Sequence, residues 1–235
     1  MKKELLLVGY SILITLLFAC QADKKEVSTN DENQISLFDR QSLTGWRSFR
    51  NLPNNSWEVV DGTLHCKPFS DSVENFRSDL ITEAQYRNFE LTFEFKLASQ
   101  SNSGVMFRVS EDYDQTYATG PEYQLIDDVG YPGTLAEENK TAGNYAMHIP
   151  KNKILKPVGE WNEGKIIVQE NNVEHWLNGA RIVAYELHSP DWIARRDASK
   201  WKDFPAYGTI EKGHIALQDH GNEVWFRNIA IIVHE

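Results

Sequence analysis

Residues 89–97, Phe-Glu-Leu-Thr-Phe-Glu-Phe-Lys-Leu, alternate apolar and polar side chains without a break. In an extended chain successive side chains point to opposite faces, so Phe89, Leu91, Phe93, Phe95 and Leu97 share one face, and Glu90, Thr92, Glu94 and Lys96 share the other. A helix would scatter the same aromatics around its axis. The segment therefore belongs to a sheet with one buried and one wet face, and the fold must supply a second layer to cover the buried one.

Other segments extend this pattern. Asp61-Gly62 joins residues 56–60 to 63–66, and Asn178-Gly179 joins 173–177 to 180–186; both dipeptides suit the positive backbone dihedrals of a two-residue hairpin turn. The second hairpin predicts Leu177 beside Ala180, Trp176 beside Arg181 and His175 beside Ile182. Residues 104–109 and 122–127 read as strands with Val105, Phe107, Val109, Tyr123 and Leu125 toward the core. That parity puts Arg108, Glu122 and Gln124 together on an exposed sheet face. Residues 161–169, 213–221 and 223–233 are further strands, and 191–204 holds a short helix with Trp192 and Trp201 available for packing. Residues 128–157 lose periodicity and carry three glycines and three prolines; they form either a binding loop or an irregular cover over a sheet edge. Many strands, little helix and no internal repeat predict an all-β, two-sheet sandwich over 35–235. The long strands and large irregular insertion favour a lectin-like jelly roll over an immunoglobulin-like sandwich.

The first 19 residues have the layout of a secretion signal. Lys2 and Lys3 precede an apolar run from Leu5 to Phe18, which closes on Ala19-Cys20. The run is shorter than the roughly 20 apolar residues of a membrane span. Cys20 is the expected site of a bacterial lipid, and residues 20–34, polar and aperiodic, form a flexible tether. Gln21 after the cysteine resembles the sorting pattern of outer-membrane lipoproteins, which gives a periplasmic or surface-facing protein held at the membrane by its lipid. Cys66 is then the only unmodified cysteine; it can form no intrachain disulfide and is expected to be a buried, inert thiol. With 34 acidic against 24 basic residues and no basic stripe, the chain is a poor partner for nucleic acid.

Six blocks then fall in a recognisable order. They are Ser36-Leu37-Phe38-Asp39 with Gly45-Trp46, Asn102-Ser103-Gly104-Val105, Gly120-Pro121-Glu122-Tyr123-Gln124, Gly159-Glu160-Trp161-Asn162, His175-Trp176-Leu177-Asn178-Gly179, and Gly213 through Gly221. Together they resemble the 3-keto-disaccharide hydrolase family and cover almost all of residues 36–233. The resemblance implies a concanavalin A-like lectin/glucanase jelly roll and, for some members, activity on 3-keto-glycosides. In that chemistry a separate oxidoreductase first oxidises the sugar at C3. A base then removes the acidified C2 proton, the glycosidic oxygen leaves, and water adds to the enone. Cleavage itself needs no nicotinamide, and a divalent metal that polarises the ketone is a possible addition implied by the family and the chemistry.

Strand parity selects the candidates. Glu122 is the leading acid or base, with Arg108 to stabilise enolate charge; the competing reading is a cross-strand salt bridge between the two. Gln124 is a sugar-hydroxyl partner or a solvated side chain. If Ile215 and Leu217 are core, Gln218 and His220 join the same wet face, where His220 transfers a proton, binds a metal or simply caps the turn at 219–221. Asp127, Tyr145 and His148 frame the irregular segment. Tyr145 is a hydrogen-bonding stacker, while Asp127 and His148 are the weak metal candidates, because no metal-ligand motif is present. His175 is assigned mainly to packing inside the sandwich, and most tryptophans to the core. A conventional glycosidase needs two opposed carboxylates, and no paired-acid strand motif identifies them. The alternative to an enzyme is a noncatalytic carbohydrate-binding lipoprotein on the same fold.

Overall fold

The computed structural model describes residues 33–235. The expected signal segment 1–19, the lipid site at Cys20 and all but the last two residues of the tether lie outside the described residues. In chain order the strands are β1 (Gln34–Ser36), β2 (Trp46–Ser48), β3 (Trp57–Val60), β4 (Thr63–Cys66), β5 (Leu80–Thr82), β6 (Asn88–Leu97), β7 (Asn102–Val109), β8 (Glu122–Ile126), β9 (Asn162–Gln169), β10 (Asn172–Leu177), β11 (Ala180–Glu186), β12 (His214–Leu217) and β13 (Val224–His234). Among the described residues one α-helix is present, α1 (Pro190–Ala198), which precedes β12. The strands form two antiparallel sheets, which give the jelly-roll sandwich its two layers. The larger runs β11-β10-β9-β6-β13-β4-β3, with β1 on the far end of β13; the smaller runs β2-β5-β12-β7-β8.

The alternation in β6 explains the join between them. Phe89, Leu91, Phe93, Phe95 and Leu97 are all buried, while Glu90, Thr92, Glu94 and Lys96 are only partly so. Phe89 meets Phe107 of the other sheet edge-on at 6.2 Å, and Phe93 meets Tyr123 at 5.4 Å. Each such side chain contributes about 1.5–3 kcal/mol by leaving water. Tyr123 keeps its hydroxyl satisfied by donating to the Trp176 carbonyl at 3.0 Å. Cys66 is fully buried and unpaired, and burial pushes its thiol far above the ordinary range, so it is the inert group expected.

Both hairpin turns have the predicted positive dihedrals. The β10–β11 register keeps Leu177 opposite Ala180 and Trp176 opposite Arg181, but His175 faces Val183 rather than Ile182. A β-bulge inserts one residue there, and the Ile182 carbonyl is taken by the Lys151 N–H at 3.0 Å.

A second bulge changes the site. Between β7 and β12 the register steps from His214–Val109 to Ala216–Met106, and Arg108 adopts φ = 56°. Gly213 lies against this kink; a Cβ there would sit 2.5 Å from the Arg108 carbonyl carbon. The extra residue reverses the parity beyond it. Val109 therefore packs with Met106, Ile81 and Ala216 on the outer side of the small sheet, not in the inter-sheet core.

That outer side is enclosed rather than wet. Three segments cover it: the turn at Thr116–Ala118, the irregular residues 141–148, and α1 with the 3-10 turn Lys200–Asp203. Residues 142–145 bond along the free edge of β8, through Ala142 N–H to Gln124 O at 2.7 Å and Tyr145 N–H to Glu122 O at 3.1 Å. The edge cover and the binding loop are thus one structure. Ser189 caps α1 by accepting the Trp192 N–H, and Pro190 occupies its first turn. Ser199 ends it and caps the next turn by accepting the Trp201 N–H. Tyr207 stacks on Trp201 at 4.2 Å and on Trp192 at 6.0 Å, which gives this cover a core of its own.

Candidate active site

Glu122 and Gln124 leave β8 toward the outer side, as their parity requires, and both are buried, at 3 % and 1 % exposure. They line a pocket of about 190 Å³ with Asn102, Gln218 and His220 from the sheet side and Tyr117, Tyr145, Lys200 and Trp201 from the cover. Five of the sequence candidates, Glu122, Gln124, Tyr145, Gln218 and His220, therefore meet in one cavity.

Glu122 reaches this pocket because Gly104 gives it room. A Cβ on Gly104 would stand 2.1 Å from Glu122 Oε1, so the carboxyl group lies directly over the glycine. Among the described residues no protein group hydrogen-bonds its two oxygens. Burial pushes the carboxyl up to about 8, against a partial pull downward by Lys200 and a further push by Asp79. A group that changes charge near neutrality can both take and return a proton.

Lys200 is the pocket's cation. Its Nζ lies 4.3 Å from the centre of the Tyr145 ring, 4.4 Å from that of Trp201 and 5.9 Å from that of Tyr117. Burial of the ammonium lowers its ionisation range, opposed by the Glu122 charge. Trp201 is fixed by donating its indole N–H to the Tyr145 carbonyl at 2.9 Å. Gln124 is held by Asn102, whose Oδ1 accepts from its amide at 3.2 Å. His220 is exposed at the rim.

Three sequence candidates lie elsewhere. Arg108 is buried, at 2 % exposure, but beyond the bulge its Nη2 donates to the Glu170 carbonyl at 2.5 Å, at the β9–β10 turn. The expected pairing with Glu122 is therefore corrected: Arg108 neighbours Tyr185, Glu211, Arg87 and Glu170 instead. Asp127 is a loop cap. Its carboxylate accepts the N–H groups of Gln100 (2.9 Å), Gly130 (2.8 Å) and Val129 (3.2 Å). Burial works against its ionisation, yet these bonds outweigh burial and hold Asp127 below the usual carboxylate range. It borders a separate, larger cleft of about 520 Å³ lined mainly by apolar residues such as Leu97, Val129 and Leu155. Size does not make that cleft the chemical centre, because its carboxylates are committed: Asp127 to backbone and Asp128 to Lys153.

His148 lines a third cleft with Asp191 and Arg195, and stacks on Tyr185 at 4.6 Å. Burial and then Arg195 push it down to about 4. Asp127 and His148 thus share no cavity and do not form a metal site together; among the described residues no cluster of three or more His, Cys, Asp or Glu could hold a metal ion. His175 is fully buried and bonds the Ala142 carbonyl at 3.0 Å, the packing role assigned to it.

The tryptophans divide unevenly. Trp46 and Trp57 are core, whereas Trp161, Trp176 and Trp225 are half-buried on the outer side of the large sheet. There Lys96 lies over Trp225 at 4.1 Å and Trp161 at 5.3 Å, and Arg227 over Trp161 at 4.1 Å. Sequence reading missed Lys200, Tyr117, Trp201 and Asn102. The available signal was the density of aromatic residues in 192–207 beside a capping serine, but no periodicity shows which way Lys200 points.

With this geometry in hand, the comparison with known proteins is decisive. A family profile described as a 3-keto-alpha-glucoside-1,2-lyase-like domain matches residues 33–232. The chain belongs to that family. A Bacteroides thetaiotaomicron protein named 3-keto-disaccharide hydrolase is 31 % identical over 248 residues, spanning 92 % of this chain and 84 % of the relative. A crystal structure from Parabacteroides distasonis, named provisionally as a glycosyl hydrolase, is 37 % identical with a TM-score of 0.80 and covers 87 % of this chain and 95 % of its own. A galectin-like protein from Bacillus subtilis matches at a TM-score of 0.54 and 16 % identity over 86 % of this chain and 96 % of its own, a likeness of fold alone. Membership in the 3-keto-alpha-glucoside-1,2-lyase-like family places the chain among glycoside-acting, hydrolase-like enzymes with a lectin-like sandwich.

Proposed function

We propose that the protein cleaves 3-keto-glycosides, including 3-keto-disaccharides, by elimination and hydration. The observation that carries this reading is the Glu122 carboxyl, buried over Gly104, without a hydrogen bond from any of the described residues and facing Lys200 across a small pocket. Ionised Glu122 takes the C2 proton, and the electron pair moves into a C2–C3 double bond as negative charge grows on the C3 oxygen. Lys200 supplies positive charge to that oxygen in place of the displaced Arg108. The enolate collapses, the C1–O bond breaks, and the leaving oxygen receives a proton from Glu122 or from His220 at the rim. Water then adds at C1 of the enone, which yields the 3-keto sugar. Gln124 and Gln218 are placed to hold sugar hydroxyls, and Tyr145 to cover the ring.

A conventional glycosidase route needs a second carboxylate across the bond. Glu122 is the only carboxylate among the described residues that line the pocket. Elimination from a ketone needs only one base, so the lining favours it. The ketone itself comes from a separate C3 oxidoreductase. The substrate reaches the enzyme outside the cytoplasm, where a lipid on Cys20 tethers the chain to the outer membrane; replacing Cys20 by Ser should release the protein from the membrane fraction.

The test is a paired assay. The purified protein is incubated with a 3-keto-glucoside and with its unoxidised counterpart, each with and without chelator, and the released aglycone is followed. Selective cleavage of the keto form supports the proposal. Cleavage of the ordinary glycoside alone, or binding without turnover of either, rejects it, the latter in favour of a carbohydrate-binding protein. Loss of turnover with chelator, restored by a divalent cation, would add a metal to the site.

A further inference from the structure

Asp79 does not line the pocket, yet it touches two of its walls. It immediately precedes β5, whose Leu80 pairs with Leu217 of β12; Gln218 in turn donates its N–H to the Gly104 carbonyl at 2.9 Å. This row carries Asp79, Gln218, Gly104 and Gln124 side by side across the small sheet, on the side from which Glu122 leans over Gly104. One Asp79 oxygen accepts the Thr116 hydroxyl, at the start of the turn that presents Tyr117. The other accepts the Asp219 N–H at 2.7 Å, between Gln218 and His220.

The neighbouring acid is arranged differently. Asp219 is neutralised by Arg77, which donates from Nε at 3.0 Å and also from Nη2, and it accepts the Ser56 hydroxyl at 2.6 Å. Among the described residues Asp79 has no such cation, only the two neutral donors. A carboxylate left without a counter-ion in an enclosed place acts on other charges nearby instead of being cancelled locally.

We infer that Asp79 is a positioning residue for Glu122: it fastens the Tyr117 wall to the His220 wall and sets a second carboxylate within electrostatic reach of the base. Burial first, and then Asp219, raise Asp79 to about 6, against the bonds from Thr116 and Asp219 N–H, so Asp79 becomes charged before Glu122 does. Its charge then holds the proton on Glu122 to higher pH. The other groups facing Glu122 are Lys200, which acts in the opposite sense, the phenols of Tyr117, Tyr145 and Tyr207, and His220 across the pocket. Substrate entering the pocket thus meets a base tuned from one side by a cation and from the other by a carboxylate. For catalysis the inference rests on the proposed function, but its physical content is separable from it.

The experiment is a carbon-13 titration of the whole protein labelled at glutamate Cδ and aspartate Cγ, with Glu122 and Asp79 assigned by loss of their signals in Glu122→Gln and Asp79→Asn. In the unaltered protein the Glu122 signal should move in two steps, a small one that follows the Asp79 ionisation and a main one of its own. In Asp79→Asn the small step should vanish and the main step should move to lower pH, and the pH profile of 3-keto-glycoside cleavage should move with it. Thr116→Val unties one wall but keeps the carboxylate. It should raise KM severalfold while Glu122 still responds to Asp79. A single-step Glu122 titration in the unaltered protein overturns the electrostatic half without any variant having to fold, and an unchanged KM in Thr116→Val overturns the fastening half. If the two-step titration is found but no keto-glycoside is cleaved, the proposed function falls and the coupling stands.

Discussion

Replacing Glu122 by Gln isolates the cost of burying its charge. The amide has nearly the shape of the carboxyl and fits the same space over Gly104, so packing changes little. Glu122 ionises near 4.5 in an open chain and near 8 in the folded protein. Between those values the folded protein holds a proton that the unfolded chain has released, so stability falls as pH rises. The slope is about 1.4 kcal/mol per pH unit. The burden is nearly absent below pH 4.5 and grows until Glu122 ionises in the folded state. From pH 5 to pH 7 it amounts to about 2–3 kcal/mol, a substantial part of the 5–15 kcal/mol that typically holds a domain together. Glu122→Gln lacks this term. Any cost of burying the amide is independent of pH and drops out of the comparison. Urea unfolding of both proteins at pH 5, 6, 7 and 8 should therefore show the variant gaining on the parent by about 2–3 kcal/mol between pH 5 and 7, while its turnover is lost. A difference that does not change with pH would refute the assignment of a desolvated carboxyl at this position, whatever happened to the activity.

Three further substitutions probe the same geometry. Gly104→Ala places a Cβ 2.1 Å from the present position of Glu122 Oε1 and must displace the base; a shift of about 1 Å is enough for roughly a hundredfold loss of kcat, read by steady-state kinetics beside a thermal melt that reports folding. Lys200→Met keeps the stem among Tyr117, Tyr145 and Trp201 but removes the cation, and kcat should fall by about 10²–10³ while Lys200→Arg retains part of it; unchanged turnover in Lys200→Met would remove the cation from the mechanism. Arg108→Met should lower stability by about 1–3 kcal/mol through the orphaned Glu170 carbonyl, and leave kcat per folded molecule unchanged in urea-titrated and active-site-normalised assays.

The fold was legible because its main determinants are local. The period-two run in β6 sets the inter-sheet face by itself, and Asp61-Gly62 and Asn178-Gly179 set two hairpins through backbone dihedrals that few other residues adopt. The same alternation carried Glu122 and Gln124 correctly to the outer side of β8, and Gln218 to the strand beside it. Where parity failed, a single inserted residue was responsible. The bulges at Arg108 and at Ile182 depend on which strand lies alongside and on what accepts the freed backbone groups, and neither fact is present in the local sequence.

The character of the site was hidden for a different reason. Alternation tells which side of a sheet a residue occupies, but not whether that side meets water, since a third layer can be supplied from anywhere in the chain. Here it comes from residues 141–148 and the much later α1 and Lys200–Asp203 turn on one side of β8 in the chain, and from the short turn Thr116–Ala118 on the other, and it converts a wet face into an enclosed pocket. That conversion is what gives Glu122 its chemistry. On an open face its carboxyl would remain a weak base fully ionised at neutral pH; under the cover it is desolvated and ionises near 8, where removal of a carbon-bound proton becomes feasible for a carboxylate. In the proposed mechanism the aromatic residues of 192–207 therefore serve the base by enclosing it. Trp192 and Tyr207 stack to hold Trp201, Trp201 holds the Tyr145 carbonyl, and these contacts keep water away from the base.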